Sequence, residues 1–298
     1  MRITGFGVAT TRSMERVAAA VGLLREAPIE FEPVADVPLG GVLCALPALL
    51  GFGLLRHTRE NFTLPPGFYP IETIFLVVAF LALARIRSLE ALRYQAPGEW
   101  GKLLGLDRVP EVKTLREKLG ILCADPERAR AWSSTLARDW MEATPESAGT
   151  LYIDGHVRVY HGALTRLPRR YVSRERLCLR GTTDYWVNAM DGQPFFVVTR
   201  PVDDGLLSVL KEEIVPRLQT EVPGQPGAEE LAADPLQHRF TIVFDREGYS
   251  PKFFAAMREK RIAVLTYHKF PGADWGLEEF SARSVRLVNA EEVTSSWP

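Results

Sequence analysis

Leu-Tyr-Ile-Asp-Gly-His-Val-Arg-Val-Tyr (151–160) is the stretch that decides the fold of the second half of this chain. Apolar and polar side chains alternate along it, which is typical of a β-strand with one buried face. Phe-Thr-Ile-Val-Phe-Asp (240–245) predicts a second strand that is apolar on both faces and covered on both sides. Asp154 lies inside the first strand and Asp245 ends the second. Because a carboxylate is costly to bury alone, the pair predicts a shared divalent-cation site.

The residues around these strands predict an α/β layer. Strands and helices alternate after residue 150, so we expect right-handed crossovers and a sheet whose strand ends gather the active site. Asp184 is assigned to a turn region and to a structural role. The other predicted elements are strands at 195–199, 262–267 and 280–288, helices at 203–218 and 251–260, and a flexible connection at 220–234.

Residues 1–145 predict a separate helical domain, followed by a domain at 146–298. Two apolar stretches, 37–55 and 71–86, are interrupted by Pro, Gly and charged residues. A membrane span needs about 20 clean apolar residues, so we expect core helices and no membrane partner. The predicted helices are 13–26, 40–56 with a bend near Pro47, 70–95, 111–119 and 125–142.

The segment 97–119 leaves two interpretations open. Short helices joined by glycine-containing turns resemble helix-turn-helix geometry, in which one helix enters the DNA major groove. The helix at 111–119 carries Lys113, Arg116 and Lys118, which suits that role. Any small helical bundle has the same pattern, so plain packing remains the alternative.

The composition is that of an ordinary globular protein. The chain has 298 residues, 46% hydrophobic residues and a formal net charge of −1. Its three cysteines form no zinc or CxxC pattern and predict reduced thiols in a cytoplasmic protein. The start of the chain shows no apolar segment of the secretory type.

Positive charge is concentrated directly after the first aspartate strand. Seven arginines and one acid, Glu175, lie between positions 158 and 180. Guanidinium groups grip phosphates bidentately, so this cluster predicts a DNA-backbone groove on the same side of the domain as the two aspartates. A solvated arginine-rich loop is the alternative. The predicted DNA-binding residues are Arg158, Arg166, Arg169, Arg170, Arg174 and Arg176.

Together, these features resemble bacterial DDE transposases of the cut-and-paste insertion-sequence type. Tyr-Ile-Asp154-Gly-His matches the family's first acid on its first strand, and Ile-Val-Phe-Asp245-Arg-Glu-Gly-Tyr matches the second acid after its fourth strand. The helical segment 84–119, with Pro-Gly-Glu-Trp-Gly-Lys-Leu-Leu-Gly-Leu-Asp-Arg-Val-Pro (97–110), looks like the front part of a transposase-like group. The resemblance covers about residues 40–298.

The resemblance implies an α/β, RNase H-like mixed sheet with flanking helices after the all-helical N-terminal domain. It implies Asp154 and Asp245 as catalytic and metal-binding residues, Mg²⁺ or Mn²⁺ as cofactor, and DNA as partner, with a homo-oligomer assembled on it. The reaction would be metal-dependent cleavage and transfer of DNA strands at insertion-sequence ends.

One departure concerns the third acid of the family, a glutamate on a late helix. No glutamate near the end of this chain lies on such a helix, so we expect a domain that is incomplete at its C-terminus. Such a chain would bind metal weakly, cleave little DNA and leave one sheet face poorly covered. An inactive remnant that only binds DNA or a partner, and a different RNase H-like nuclease, remain alternatives.

Overall fold

A computed structural model describes residues 12–31, 33–173, 175–269, 278, 281–286 and 292–297. The fold is mixed α/β. The described residues separate into two compact units. The first unit extends to Glu146 and includes 221–223, and the second holds the other residues from Ser147 onward.

In the first unit, helices are the only regular secondary structure of the described residues up to Glu146. Two 3₁₀ helices, Gly40–Ala45 and Leu89–Tyr94, interrupt the α-helices. The α-helices are α1 (Ser13–Ala20), α2 (Leu46–Gly51), α3 (Thr58–Asn61), α4 (Ile71–Leu83), α5 (Pro97–Leu103), α6 (Val112–Leu122), α7 (Pro126–Ala143) and α8 (Pro145–Ala148), the last of which runs into the second unit.

Helix α4 forms the centre of the core in this unit. Ile74 and Val77 are fully buried in it. The predicted helix 70–95 is wrong beyond Leu83, because Arg85 takes a left-handed backbone conformation (φ 57°) that α-helices do not contain. The chain therefore turns there and continues as the 3₁₀ helix.

The predicted buried helix at 40–56 is also corrected. It is a 3₁₀ helix followed by α2, with Pro47 in the first turn of α2, where a missing N–H costs nothing. No residue of the 3₁₀ helix Gly40–Ala45 or of α2 is fully buried, although Val42, Leu43 and Leu49 pack against the core. Among the described residues, no helix combines the length and the apolar character that a membrane span needs.

Helix α7 follows its sequence prediction within one residue. Asp125 caps it by accepting a hydrogen bond from the Glu127 N–H. Trp132 and Trp140 both lie on this helix, and their indole N–H groups donate to the carbonyl groups of Arg56 and Phe52, both at 2.8 Å. These bonds attach α7 to the turn between α2 and α3.

His57 strengthens the same attachment by lying between two carboxylates. Its Nδ1 is 3.0 Å from Glu60 Oε2, and its Nε2 is 3.0 Å from Asp139 Oδ2. An ionised carboxylate only accepts hydrogen bonds, so both contacts form only when both ring nitrogens carry protons. The hydrogen bond to Asp139, and then that to Glu60, raises the pKa of His57.

We therefore expect the free energy of unfolding to fall as pH rises through the folded-state pKa of His57. The raised pKa means that this stabilisation is complete below the unfolded-state pKa and is lost above the folded-state one. Because the cluster lies near the surface, the loss should be about 1 kcal/mol or less. Urea unfolding between about pH 5 and pH 9 should show it in the wild type and in the exposed-residue control His161→Gln, but not in His57→Gln. Equal pH slopes in all three proteins would contradict the assignment.

A six-stranded mixed sheet forms the second unit. Its order is β2-β3-β1-β5-β6, with β4 also paired to β3. Strand β1 is central, antiparallel to β3 and parallel to β5. A separate hairpin follows near the end of the chain. The strands are β1 (Thr150–Val159), β2 (Arg169–Val172), β3 (Leu177–Asn188), β4 (Pro194–Pro201), β5 (Thr241–Phe244), β6 (Ala263–Leu265), β7 (Ser281–Arg286) and β8 (Glu292–Trp297).

One face of this sheet carries the core. Ile153 of β1 pairs with Phe244 of β5, and both are buried. Phe253 lies in a helix after β5 and contacts Phe244 edge to face, with ring centroids 6.0 Å apart. The helices of the unit are α9 (Leu206–Val209), α10 (Val215–Glu221), α11 (Ala228–Ala233) and α12 (Pro251–Glu259), with one π-helical turn, Leu210–Ile214, between α9 and α10.

The opposite face is open among the described residues. Tyr152, Val243 and Leu265 form one row across β1, β5 and β6. Tyr152 is 42% exposed and Leu265 is 60% exposed. The prediction that residues 240–244 are covered on both sides is therefore wrong, because the alternate residues of β5 are only half-buried on this face.

Three local predictions in this unit are also corrected. The connection 220–234 contains α11, whose start is capped by the Glu230 carboxylate accepting from the Gly227 N–H. The segment around Asp184, predicted as a turn, is the middle of β3. The predicted helix at 203–218 contains the π-helical turn. By contrast, Ser250 caps α12 as predicted, and its hydroxyl accepts from the Phe253 N–H.

Candidate active site

Asp154 and Asp245 directly follow the last residues that pair between β1 and β5. The parallel pairing of β1 and β5 ends at Ile153 opposite Phe244, and the two aspartates are the next residues on each strand. The backbone at Asp245 is still extended, with φ −74° and ψ 174°. Neighbouring strands lie about 4.8 Å apart, so the two carboxylates belong to one small region of the sheet.

Local hydrogen bonds hold both carboxylates. Asp154 Oδ1 accepts from the N–H of Gly155 at 2.9 Å. Asp245 Oδ1 accepts from the N–H of Glu247 at 3.0 Å and so caps the 3₁₀ turn after β5. Both residues are exposed, so the expectation that each carboxylate is buried and needs a partner for that reason is wrong.

The described residues bring no third metal ligand to this pair. In that part of the chain, no group of three His, Cys, Asp or Glu side chains could hold a metal ion. Glu247 lies two residues after Asp245, but its Oε1 is 3.1 Å from the guanidinium of Arg170. Glu279 and Glu291 lie outside the described residues.

The predicted DNA-binding arginines divide between the two faces of the sheet. Arg158 shares the face of Asp154 by strand alternation and pairs with the carboxylate of Asp184, which is 4% exposed. Arg169 lies on that face too, because it is opposite Arg180 in a register that continues from the β1–β3 pairing. Arg166 and Arg176 are exposed. Arg174 lies outside the described residues.

Arg170 corrects the prediction that the whole arginine cluster lies on the side of the aspartates. It follows Arg169 in β2, so its side chain points to the opposite face of the sheet. There its guanidinium pairs with Glu247, and its Nη1 donates to the Val202 carbonyl at 3.5 Å. This arginine therefore links the β2–β3 hairpin to the turn after β5.

A cleft of about 500 Å³ lies beside this link. Val157, Val172 and Tyr185 contribute apolar surface to it, and Asp245 and Glu247 also line it. The Tyr185 hydroxyl donates to the Asp204 carbonyl at 2.8 Å, and burial raises its pKa, so the phenol stays protonated. Asp245 therefore lies where the cleft meets the open face of the sheet.

Strand β3 provides much of this region, and sequence reasoning missed it. Thr183, Tyr185 and Val187 are all buried and alternate with the half-buried Thr182, Trp186 and Asn188, which was the available signal, although Asp184 is buried as well. Gly181 and Asp184 hid that signal, because both residue types are depleted in strands. Gly181 is required where β1 and β3 approach closely, since a Cβ there would lie 2.2 Å from the Arg158 carbonyl oxygen.

Comparison with known proteins gives one match. A family model described as "Transposase protein" (Transposase_29) matches residues 7–296, which is nearly the whole chain. No curated protein and no solved structure matches the chain.

Proposed function

The chain belongs to the Transposase_29 family of transposase proteins, and we propose that it cleaves and transfers DNA strands at insertion-sequence ends, using a divalent cation held by Asp154 and Asp245. The observation that carries this proposal is the parallel register of β1 and β5, which ends one residue before both aspartates. Residues 91 positions apart in sequence thereby become neighbours at the carboxyl end of β5, and α/β sheets hold their active sites at such strand ends.

The sheet topology supports an RNase H-like domain of the DDE type. The strand with the first aspartate is central, and the second aspartate follows the next strand that runs parallel to it. When the short strand β2 is left out, β5 is the fourth strand of the sheet in chain order. The resemblance described above places its two acids on the first strand and after the fourth.

The donor set suits Mg²⁺ or Mn²⁺. Both ions prefer carboxylate oxygens, and Mg²⁺ is commonly held by one or two carboxylates together with substrate phosphates and water. Asp154 and Asp245 are exposed and would share such an ion with DNA. When bound, it would supply charge stabilisation at the scissile phosphate and a nucleophile at neutral pH.

DNA is the partner that the family implies, and the arginine distribution supports it. Arg158 and Arg169 lie on the face of Asp154, so their positive charge is on the side that a DNA backbone would approach. Arg166 and Arg176 flank β2. Assembly of several copies on DNA remains a prediction.

The test is a supercoiled-plasmid nicking assay with the purified chain. We expect slow nicking that requires Mg²⁺ or Mn²⁺, and a loss of roughly 100-fold or more in Asp154→Ala and Asp245→Ala, because several kcal/mol of charge stabilisation disappear. Asp191→Ala is the matched control, since Asp191 is an exposed aspartate in the turn between β3 and β4.

Two results would count against this proposal. Nicking that survives unchanged in Asp154→Ala would assign the activity to other residues. DNA binding without metal-dependent nicking in the wild type would favour the alternative function, a transposase-derived protein that binds DNA or a partner and does no chemistry.

A further inference from the structure

Two arginines and an exposed tyrosine lie together on the outward face of the β2–β3 hairpin. Arg169 of β2 is directly opposite Arg180 of β3, and Tyr171 is directly opposite Cys178. These four residues share one face, since alternate residues of a strand point the same way. Tyr171 is 56% exposed. We call this surface the hairpin platform.

The charges of the hairpin platform have no acidic partner in the described part of the chain. Two arginines directly opposite each other repel, which destabilises a strand pair unless an anion lies between them. Neither Arg169 nor Arg180 forms an ion pair or a side-chain hydrogen bond there, whereas Arg158 pairs with Asp184 and Arg170 with Glu247. The hairpin thus keeps two guanidinium groups available to an anionic ligand.

The hairpin platform is on the same sheet face as Asp154. Asp154 is opposite Trp186 in β3, and Arg180 is six residues further along that strand, an even number. The separation along the strand is about 20 Å, at about 3.4 Å per residue.

An exposed tyrosine between arginines suits unpaired bases better than a duplex. Proteins that bind single strands combine a basic track for the backbone with aromatic rings on which bases stack. In a duplex, the base faces are already stacked and only base edges and phosphates are accessible. Arg169 and Arg180 fit phosphates, while the ring of Tyr171 is 56% exposed and offers a stacking surface.

We propose that the hairpin platform binds an unpaired DNA strand, with Tyr171 stacking on a base and Arg169 and Arg180 contacting the adjacent phosphates. This inference rests on the proposed function, in which DNA meets the face of Asp154. It adds a substrate class, a strand with unstacked bases about 20 Å from Asp154 along the same sheet face. Tyr171 was not among the predicted site residues, and Arg180 was predicted only as a member of the arginine cluster.

Binding of a labelled single-stranded oligonucleotide of about 15 nucleotides, which matches single-strand site sizes, tests this proposal by fluorescence anisotropy in EDTA. Tyr171→Ala should weaken binding roughly 5- to 150-fold, which corresponds to the loss of one base stack. Tyr171→Phe keeps the ring and should bind within about 2-fold of the wild type, because stacking uses the aromatic face. The full 298-residue chain is used throughout.

Arg169 and Arg170 are adjacent in β2, so their alanine variants form a matched pair that tests the phosphate contacts. Arg169→Ala should lower the slope of log affinity against log salt by about 0.7, the value for one lost contact on a single strand. Arg170→Ala should leave that slope unchanged, since its side chain points to the other face and pairs with Glu247. If both substitutions lowered the slope equally, this would contradict the proposal that Arg169 faces the DNA strand and Arg170 does not.

Two further outcomes would overturn the proposal. Unchanged single-strand affinity in Tyr171→Ala would exclude base stacking on this residue. An equal loss for a duplex of the same sequence would show that the hairpin reads duplex DNA. Since EDTA removes divalent metal, these results are independent of the nicking assay: the hairpin platform can fail while Asp154 proves catalytic, and the reverse.

Discussion

Gly101→Ala is expected to destabilise the first unit by about 3 kcal/mol or more, as overpacking against backbone does when no side chain can move aside. Gly101 lies in α5, where the next segment of the chain crosses it closely. A Cβ at this position would lie 2.6 Å from both the Cα and the N of Arg108, and 2.7 Å from the carbonyl carbon of Asp107. The helix and that backbone would have to separate.

Gly120→Ala is the matched control, because it makes the same change in a neighbouring helix. A Cβ at Gly120 of α6 meets no atom within 4 Å. Alanine has the higher helix propensity, so this variant should be more stable by about 0.5–1 kcal/mol. Urea-unfolding midpoints of the two variants should move in opposite directions from the wild type. A shift of the same sign in both would contradict the close packing at Gly101.

Asp107→Ala is expected to cost about 3–5 kcal/mol, the usual loss when one partner of a buried ion pair is removed. Asp107 is 7% exposed and holds Arg16 bidentately, with both N–O distances at 2.5 Å. Its Oδ1 also accepts from the Arg108 N–H at 2.8 Å. The Arg16 guanidinium lies 3.9 Å from the centre of the Phe68 ring, so it would remain on an apolar surface without its counter-ion.

Glu90→Ala provides the control for an ion pair in solvent. Glu90 pairs with Arg116 across the surface, and both side chains are about half exposed. Exposed pairs contribute about 0–1 kcal/mol, so this variant should unfold within that range of the wild type. Thermal or urea unfolding separates the two cases. An Asp107→Ala midpoint as close to the wild type as that of Glu90→Ala would show that the Arg16 contact contributes little.

Under the two proposals, the hairpin platform and the candidate active site would form one continuous DNA surface on a single sheet face. Asp154 lies in the middle of β1, and the pairing of Arg158 with Asp184 lies between it and Arg180. Asp184 is buried and accepts a hydrogen bond from the Thr199 hydroxyl at 2.7 Å, so its carboxylate is held in place beneath that surface. DNA that reached from the hairpin to Asp154 would therefore pass over the Arg158 side chain.

The sequence by itself determined the elements whose signals are local. Alternation along 151–160 predicted β1, and Ser250 followed by Pro251 predicted the start of α12 within one residue. Both work because a strand period of two and a hydrogen-bonded cap depend only on neighbouring residues. The order of the two aspartate strands with the helical front part also pointed to a transposase, in agreement with the family match.

The features that depend on pairing between segments distant in sequence were decided only by the tertiary structure. Strand β3 exists because it pairs with both β1 and β4, which outweighs the poor strand propensity of Gly181 and Asp184. The same pairing fixes which face each arginine occupies, so Arg169 and Arg170 point in opposite directions although the sequence shows one basic cluster. Asp154 and Asp245 become neighbours only through the parallel register of β1 and β5, since no local pattern encodes the alignment of strands 91 residues apart.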